Sequence, residues 1–257
     1  MLRSNQGRAN LTTWIVGDIH GCAQELAELV ERLQLKAGDR LLACGDLFHR
    51  GPDPIGVVDV LESSNADFIL GNHERAVLAR LGLAPRRVDG ADRPVAKINL
   101  DELIPEDLNG DGRRACQVGQ ADVVRVVNFL QTHSGYALSN ETVEGAGLTP
   151  NGTPWWLVHA GVEPGKPLHE QSVRALTSVR RLRRPGRPYW YEAWNGPALV
   201  LFGHTPGHIP RPRHVRGQLV ALGLDTACVY GGSLTAYCPE LDEIVAVPAR
   251  REWVANA

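Results

Sequence analysis

Short apolar runs alternate with amphipathic segments along the first eighty residues of the chain. The apolar runs predict three strands, at residues 11–16, 40–44 and 67–70. The segments that follow them carry an apolar residue every three or four positions and Pro or Gly at their edges, and they predict helices at residues 23–35, 54–63 and 74–83. This order predicts a parallel sheet with right-handed crossovers, and therefore an α/β protein.

The rest of the chain divides where its texture changes. Residues 84–153 are charged and interrupted by Gly and Pro, and we interpret them as a cap or insertion with helices near 96–103 and 120–132. Beyond this segment, apolar runs with few helical patterns between them predict a second sheet. Its strands are expected at residues 155–158, 198–202, 218–222, 233–237 and 243–247.

Polar side chains follow the apolar runs at the point where each predicted strand ends. The stretches are Gly17-Asp18-Ile19-His20-Gly21, Gly45-Asp46, Gly71-Asn72-His73-Glu74, Val158-His159-Ala160-Gly161 and Phe202-Gly203-His204-Thr205. Because the carboxyl ends of parallel strands meet at one edge of a sheet, we expect these side chains to converge. Two aspartates, one asparagine and three histidines form a mixed oxygen and imidazole set, which suits two divalent metal ions.

These stretches, together with Gly45-Asp46-x-x-x-Arg50-Gly51, resemble the signature of the phosphoprotein phosphatase branch of the metallophosphoesterases. The resemblance runs from residue 14 to about residue 248 and treats the 257 residues as a single calcineurin-like domain. It implies a four-layer α/β/β/α sandwich of two mixed sheets, with a dimetal site between them.

The resemblance also implies which residues bind the metals. Asp18, His20 and Asp46 would hold one ion, and the other would be held by Asp46, Asn72, His159 and His204. Manganese is the expected metal, with iron, zinc and cobalt as alternatives, because the ligand types alone do not choose between them.

The implied reaction is direct hydrolysis by a hydroxide that bridges the two ions, so that no protein nucleophile is needed. Arg50 and Asn72 would bind the substrate phosphate, and Arg50 would do so bidentately. His73 follows a ligand without being one, and it is the candidate general acid for the leaving oxygen.

Two departures from the branch bear on the substrate. Protein serine/threonine phosphatases carry a carboxylate where this chain has His49 and an arginine where it has Leu70. The stretches GDLFHRGP, ILGNHE and LDTACVYGGSLTA are more similar to those of bacterial diadenosine tetraphosphatases. The resemblance therefore implies cleavage of a phosphoanhydride in a dinucleoside polyphosphate. The alternatives are a protein phosphatase for phosphoserine, phosphothreonine or phosphotyrosine and, in another class, a metal-free binding module, against which the intact ligand set argues.

An arginine run lies between residues 171 and 191, which contain six arginines and no acidic residue. Arg180 and Arg181 are candidate ligands of a polyphosphate, and the aromatic residues that follow suit the stacking of adenine. A solvated face beside a core aromatic cluster is the alternative interpretation. The aromatic residues are Tyr189, Trp190, Tyr191 and Trp194.

Composition narrows the class of partner and the compartment. The 27 basic and 29 acidic residues leave a net charge of −2, so no overall field attracts a nucleic-acid polymer or an anionic membrane, and a small nucleotide is the expected partner. Five scattered cysteines without a CxxC pair predict reduced, mostly buried thiols. No apolar run is long enough to span a bilayer, and the polar N-terminal residues do not resemble a signal peptide, so a cytoplasmic location is expected.

Overall fold

The computed structural model describes residues 11–80, 120–132 and 142–255, and its strands form two five-stranded sheets. The first sheet has the order β10-β9-β1-β2-β3 and the second β4-β5-β6-β8-β7. In chain order the strands are β1 (Thr13–Val16), β2 (Arg40–Ala43), β3 (Asp67–Phe68), β4 (Thr142–Leu148), β5 (Pro154–Val158), β6 (Leu199–Phe202), β7 (Arg211–Val215), β8 (Gln218–Gly223), β9 (Ser233–Cys238) and β10 (Glu243–Pro248).

Helices cover the outer faces of both sheets. The α-helices are Ala23–Leu33, Pro54–Ser63, Asn72–Arg80, Gln120–Thr132 and Val173–Ser178, and the 3-10 helices are Leu168–Glu170 and Trp190–Ala193. The helix Pro54–Ser63 begins with the side chain of Asp53 accepting a hydrogen bond from the Gly56 amide at 2.7 Å, and with Pro54 at its first position.

The alternation of side chains along each strand builds four layers. In β1, Trp14 and Val16 pack against the helices of the first sheet, whereas Ile15 packs between the two sheets. In β6, Leu201 lies between the sheets and Val200 packs on the opposite side, among the aromatic residues of the second outer layer. Successive side chains of a strand point to opposite faces, so strands buried on both sides read as continuous apolar runs. The expected α/β/β/α sandwich of two mixed sheets is confirmed.

The prediction of which strands join the second sheet was wrong for the last two. β9 pairs antiparallel with β1 and β10 pairs with β9, so both belong to the first sheet. Alternation of apolar residues indicates which face of a strand is buried but not which neighbour the strand pairs with. β4 and β7 were not predicted, because Gly145 and Gly147 in β4 and Pro212 in β7 break the usual strand composition.

Part of the segment interpreted as a cap or insertion packs into the apolar core beside the first sheet. The ring of Phe129, in the helix Gln120–Thr132, stacks on Phe68 with 5.3 Å between the ring centroids and meets Phe48 edge-on at 6.1 Å. The helix expected near 96–103 lies outside the described residues. The interpretation of residues 84–153 as an insertion in a single domain stays a prediction.

Two further expectations concern thiols and membranes. Cys22, Cys44, Cys228 and Cys238 are buried and form no disulfide, as predicted for reduced thiols, and Cys116 lies outside the described residues. Across the described ranges, no helix combines the length and the apolar character needed to cross a membrane.

Candidate metal centre

The carboxyl ends of β1, β2 and β3 meet those of β5 and β6 at one end of the stacked sheets. β1 runs parallel to β2, β2 to β3, and β5 to β6, so the loops that follow these strands are neighbours. Hydrogen bonds join the loops directly: the carbonyl of Asp46 accepts from the amide of His20 at 2.8 Å, and the carbonyl of His159 accepts from the amide of Gly203 at 2.8 Å. The predicted site residues therefore converge at this end.

The carboxylate of Asp46 lies at the centre of the cluster. Its Oδ1 is 3.4 Å from Nε2 of His159, and its Oδ2 is 3.8 Å from Nε2 of both His20 and His73. Asn72 lies beside it, since its Oδ1 is 3.1 Å from Nε2 of His159. Asp46 is 3% exposed, so these contacts form away from bulk water.

Asp18 and His204 connect the two sheets. The backbone amide of His204 donates to both carboxylate oxygens of Asp18, at 2.9 and 3.1 Å. Cys44 donates its thiol to Oδ1 of Asp18 at 3.6 Å, and its carbonyl lies 2.8 Å from Nδ1 of His159. The other ring nitrogen of His159, Nε2, is thereby directed at Asp46 and Asn72.

Three of the clustered residues adopt a left-handed backbone conformation, which residues other than glycine rarely adopt. The φ angles are 48° at His20, 51° at Asp46 and 62° at His204. Such strain persists only where surrounding structure over-determines it, and it concentrates at functional sites. The sharp turns that it produces direct the three side chains into the space between the loops.

Glycine permits the close approach of two of these loops. A Cβ added at Gly203 would collide with the carboxylate of Asp18 and the thiol of Cys44. A Cβ at Gly71 would collide with the carboxylate and backbone amide of Asp46. These two positions therefore need glycine because of what stands beside them.

The charges in the cluster oppose one another. Burial, followed by the charges of Asp225 and Asp46, raises the pKa of Asp18 well above its usual range. Burial also favours the neutral ring of His159, but the carboxylates of Asp46 and Asp18 outweigh it and raise its pKa to about 10. Asp46 shows the converse, because the nearby His159 holds its pKa well below the usual range despite burial.

Burial shifts three other imidazoles of the site toward their neutral form. Burial lowers the pKa of His20 to about 3, of His204 to about 3 and of His73 to about 2, against the opposing charge of Asp46. Neutral imidazole is the form that binds a metal ion, so metal binding at His159 would release the proton that the carboxylates hold there.

The donor set fits divalent metal ions. Three groups of side chains have ligand atoms within 4.8 Å of one another: Asp18, Cys44 and His159; His20, Asp46 and His73; and Asp46, His159 and His204. Nδ1 of His20 is also buried with no hydrogen-bond partner among the described residues, which leaves a ligand atom available. Burying several carboxylates together is costly unless a cation compensates them, so the arrangement is that of a metal centre.

The candidate catalytic side chains lie beside the cluster. The helix Asn72–Arg80 begins two residues earlier than predicted, so that His73 lies in its first turn. The ring centroid of His73 is 4.5 Å from that of His49. Arg50 has a φ of 77° and donates from Nη1 to the hydroxyl of Tyr230 at 2.7 Å. Tyr230 thus fixes the guanidinium next to the centre.

Three of the four aromatic residues that follow the arginine run are buried. Trp190, Tyr191 and Trp194 are 0%, 8% and 3% exposed and pack in the outer core of the second sheet. The expectation that they stack an adenine base is therefore wrong, because the apolar rings serve the core. Arg180 donates from Nε and Nη2 to the carbonyl of His204, at 3.0 and 2.7 Å, and Arg181 lies at an open cleft beside it.

Two carboxylates of the site were not singled out from the sequence. Glu74 accepts hydrogen bonds from the amides of Asp46, Leu47 and Gly71 at 2.8–3.0 Å, so it fastens the loop after β2 to the loop after β3. Asp225 follows β8, and burial together with the charge of Asp46 raises its pKa to about 6. Asp225 carries the same signal as the predicted ligands, an acid just after an apolar strand, and could have been found by it.

Two stacked mixed sheets with a buried carboxylate and imidazole cluster at their strand ends define the protein as a metallophosphoesterase. The model of the family described as calcineurin-like phosphoesterase matches residues 11–237, and the chain belongs to this family of hydrolases.

Its relatives include bacterial tetraphosphatases. The chain is 27% identical over 265 residues to a protein of Halalkalibacterium halodurans named bis(5'-nucleosyl)-tetraphosphatase PrpE, asymmetrical, covering 94% of this chain and 96% of the relative. It is 29% identical over 268 residues to a protein of Janthinobacterium sp. named bis(5'-nucleosyl)-tetraphosphatase, symmetrical, covering 88% and 92%. A crystal structure of a protein proposed to be a diadenosine tetraphosphatase superposes with a TM-score of 0.65 at 28% identity, covering 94% of this chain and 95% of the other.

Proposed function

We propose that this hydrolase cleaves a phosphoanhydride bond of a dinucleoside polyphosphate. The observation that carries the proposal is the contact of His49 with His73, whose ring centroids are 4.5 Å apart. A phosphoserine expels an alkoxide, which needs a well-oriented proton donor, whereas an anhydride expels a phosphate whose oxygen has a pKa near 6. His49 stands where related protein phosphatases carry a carboxylate that orients the proton donor. A site without that carboxylate suits an anhydride, because the departing phosphate needs little protonation. The names of the relatives support the same substrate class.

The proposed metal ligands are the six clustered residues. Asp18, His20 and Asp46 would hold one divalent ion and Asp46, Asn72, His159 and His204 the other, with manganese as the proposed metal. Bound there, the ions would supply a hydroxide nucleophile at neutral pH and charge to neutralise the phosphoryl oxygens.

The side chains around the centre complete the reaction. Arg50, held by its hydrogen bond to Tyr230, would bind a phosphate oxygen, and Asn72, which contacts His159, would bind another while serving as a ligand. His73 faces Asp46 from the edge of the centre and is the proposed proton donor to the leaving oxygen. Because burial lowers its pKa, His73 is a weak source of protons at pH 7, which suits a phosphate that leaves with little protonation.

A side-by-side assay of diadenosine tetraphosphate and a phosphopeptide, with manganese, tests the substrate class. We expect rapid release of nucleotides from the dinucleotide and little phosphate from the peptide. Nucleotide analysis also assigns the cleavage: two ADP indicate symmetrical cleavage, and ATP with AMP indicates asymmetrical cleavage. Preferential hydrolysis of the phosphopeptide would replace this proposal with the protein-phosphatase alternative.

Replacement of Asp46 by Asn tests the metal roles. Removing the central charge should lower both metal content and activity, by more than the 10–100-fold that is typical of losing a residue that only orients a ligand. Asp242→Asn, which alters a hydrogen bond to Tyr237 on the β9–β10 connection, is the control. Normal metal content and full activity in Asp46→Asn would refute the dimetal assignment.

A further inference from the structure

A cleft of about 960 Å³ opens next to the metal centre. His204 lines it, so the cleft reaches one of the proposed metal ligands. The arginines that line it are Arg174, Arg180, Arg181, Arg183 and Arg187.

The described residues form few ion pairs that would compensate the positive charge of the cleft. Among the described residues, Arg174, Arg181, Arg183 and Arg187 form no ion pair. The acid on the cleft wall, Glu163, is already paired with Lys166 and accepts a hydrogen bond from Ser172 at 2.8 Å. In a chain whose net charge is −2, this concentration of guanidinium groups creates a local field for anions.

One guanidinium of the cleft is held rigidly. Arg181 lies over the ring of Tyr189, 3.9 Å from its centroid, and donates from Nη1 to the carbonyl of Arg187 at 2.9 Å. The ring of Tyr189 also stacks on that of Tyr191, with 5.1 Å between the centroids, and Tyr191 is buried. Because a guanidinium has five N–H donors, most of those of Arg181 stay available in a fixed orientation.

Arg180 has a structural role, in contrast to the other arginines of the cleft. Its two hydrogen bonds to the carbonyl of His204 occupy donors and fix the left-handed turn at that residue. Arg180 is therefore a positioning residue that joins the cleft wall to the metal centre.

We propose that Arg174, Arg181, Arg183 and Arg187 form a subsite for the phosphate chain beyond the bond that is cleaved, and that the subsite selects substrates by phosphate number and not by base. This inference rests on the proposed function. Guanidinium groups bind successive phosphates well. The ring of Tyr189 already contacts Arg181 and Tyr191, and Trp190, Tyr191 and Trp194 are buried, which argues against stacking of a base there.

The double substitution R181Q/R183Q tests the subsite. We expect KM for diadenosine tetraphosphate to rise about tenfold with kcat within about twofold, because exposed ion pairs contribute to binding but not to the chemical step. Hydrolysis of a small aryl phosphate should not change. The matched control is R251Q, which removes an exposed arginine that is likewise stacked on a ring, 4.3 Å from the centroid of Trp253, outside the cleft.

Two comparisons test what the subsite recognises. In the wild-type protein, KM should fall from the diphosphate through the triphosphate to the tetraphosphate dinucleotide and differ little between the adenosine and guanosine forms. In the R181Q/R183Q protein, KM should depend less on phosphate number than it does in the wild-type protein. A strong preference for one base, or an unchanged KM in R181Q/R183Q, would overturn the subsite while leaving the proposed function standing.

Inhibition separates the subsite from the proposed function. Inorganic tripolyphosphate should inhibit hydrolysis of the aryl phosphate more strongly than orthophosphate does, at fixed free metal concentration, and R181Q/R183Q should lose this difference. If the wild-type protein fails to cleave dinucleotides but shows this inhibition, the proposed function is wrong and the phosphate-chain subsite stands. If R181Q/R183Q and the wild-type protein are inhibited alike, the arginines form only a solvated face.

Discussion

At the scale of single residues, the centre depends on a few buried polar contacts that set its shape. Asp46 meets three imidazoles within 3.8 Å, and Glu74 holds the backbone around Asp46 from the other side. Glu74 is 1% exposed, and its oxygens accept from three amides. The position of the Asp46 carboxylate is thus fixed by a residue that has no proposed contact with metal.

Replacing Glu74 by Gln should destabilise the protein by about 1–3 kcal/mol, because the new amide group faces backbone N–H donors and leaves at least one unsatisfied. The metal content should fall as well, since the loop carrying Asp46 is loosened. Thermal unfolding and metal analysis of the purified protein measure the two effects. Glu31→Gln, on the exposed side of the helix Ala23–Leu33, is the control, and equal behaviour of the two variants would show that Glu74 does not fix the loop.

Replacing His73 by Ala should lower hydrolysis of diadenosine tetraphosphate much less than hydrolysis of a phosphoserine substrate, for which general acid catalysis contributes about 10²–10⁴-fold. His49→Asp should raise the rate of phosphoester hydrolysis more than that of anhydride hydrolysis, because a carboxylate beside His73 would orient it as a proton donor. Turnover on the two substrates, at equal metal occupancy, measures the difference. Equal losses would show that leaving-group chemistry does not account for His49.

At the scale of elements, the site is a set of tight connections that follow parallel strands. The left-handed residues His20, Asp46 and His204 each lie in such a connection, and the helix Asn72–Arg80 starts inside the site. The first turn of this helix therefore carries Asn72, His73 and Glu74 into three different contacts. A helix start is used here to place side chains on the centre, while its later turns pack on the core.

Replacing Gly203 by Ala should push the loop after β6 away from Asp18 and Cys44, lowering both metal content and activity by at least tenfold. Gly165→Ala is the matched control: it also introduces a Cβ, at a φ of 89°, but nothing lies within 4 Å of it. The control should lose about 1 kcal/mol of stability and keep its metal. Normal metal content in Gly203→Ala would show that the loops tolerate more separation than the structure indicates.

At the scale of the whole molecule, the two sheets hold the halves of the centre together. Their facing side chains form a continuous apolar core, and Glu240 links them by accepting from the amide of Thr13 in β1 and from Nε1 of Trp155 in β5, both at 3.0 Å. The centre lies at the end of this core, so metal binding and packing of the sheets stabilise each other.

Removing the metal with a chelator should therefore lower the thermal midpoint by about 5–10 °C, as expected when a ligand present at about 100 times its Kd is withdrawn. Manganese should restore the midpoint. Scanning calorimetry with parallel metal analysis measures the shift, and Asp46→Asn should show a smaller one. An unchanged midpoint after verified removal of the metal would show that the buried carboxylates are stable without a cation.

The sequence by itself determined most of the elements and the residue types that gather at the strand ends. Apolar runs that end in Asp, Asn or His indicated which side chains lie at strand ends, and the helices 54–63 and 120–132 were predicted with their observed bounds. Such features are local: periodicity reports burial of a face, and the carboxyl end of a strand follows from chain direction.

Only the tertiary structure decided which elements meet. The transfer of β9 and β10 to the first sheet, the three amides gathered by Glu74, the burial of Trp190 and the cleft between His204 and the arginines all depend on residues far apart in the chain. The alternation of side chains shows that a strand has a buried face but does not indicate which strand it pairs with. An arginine run has the same sequence pattern whether it faces open water or lines a cleft. Packing of the two sheets resolved both ambiguities, because it fixes which surfaces are covered and which remain available to a substrate.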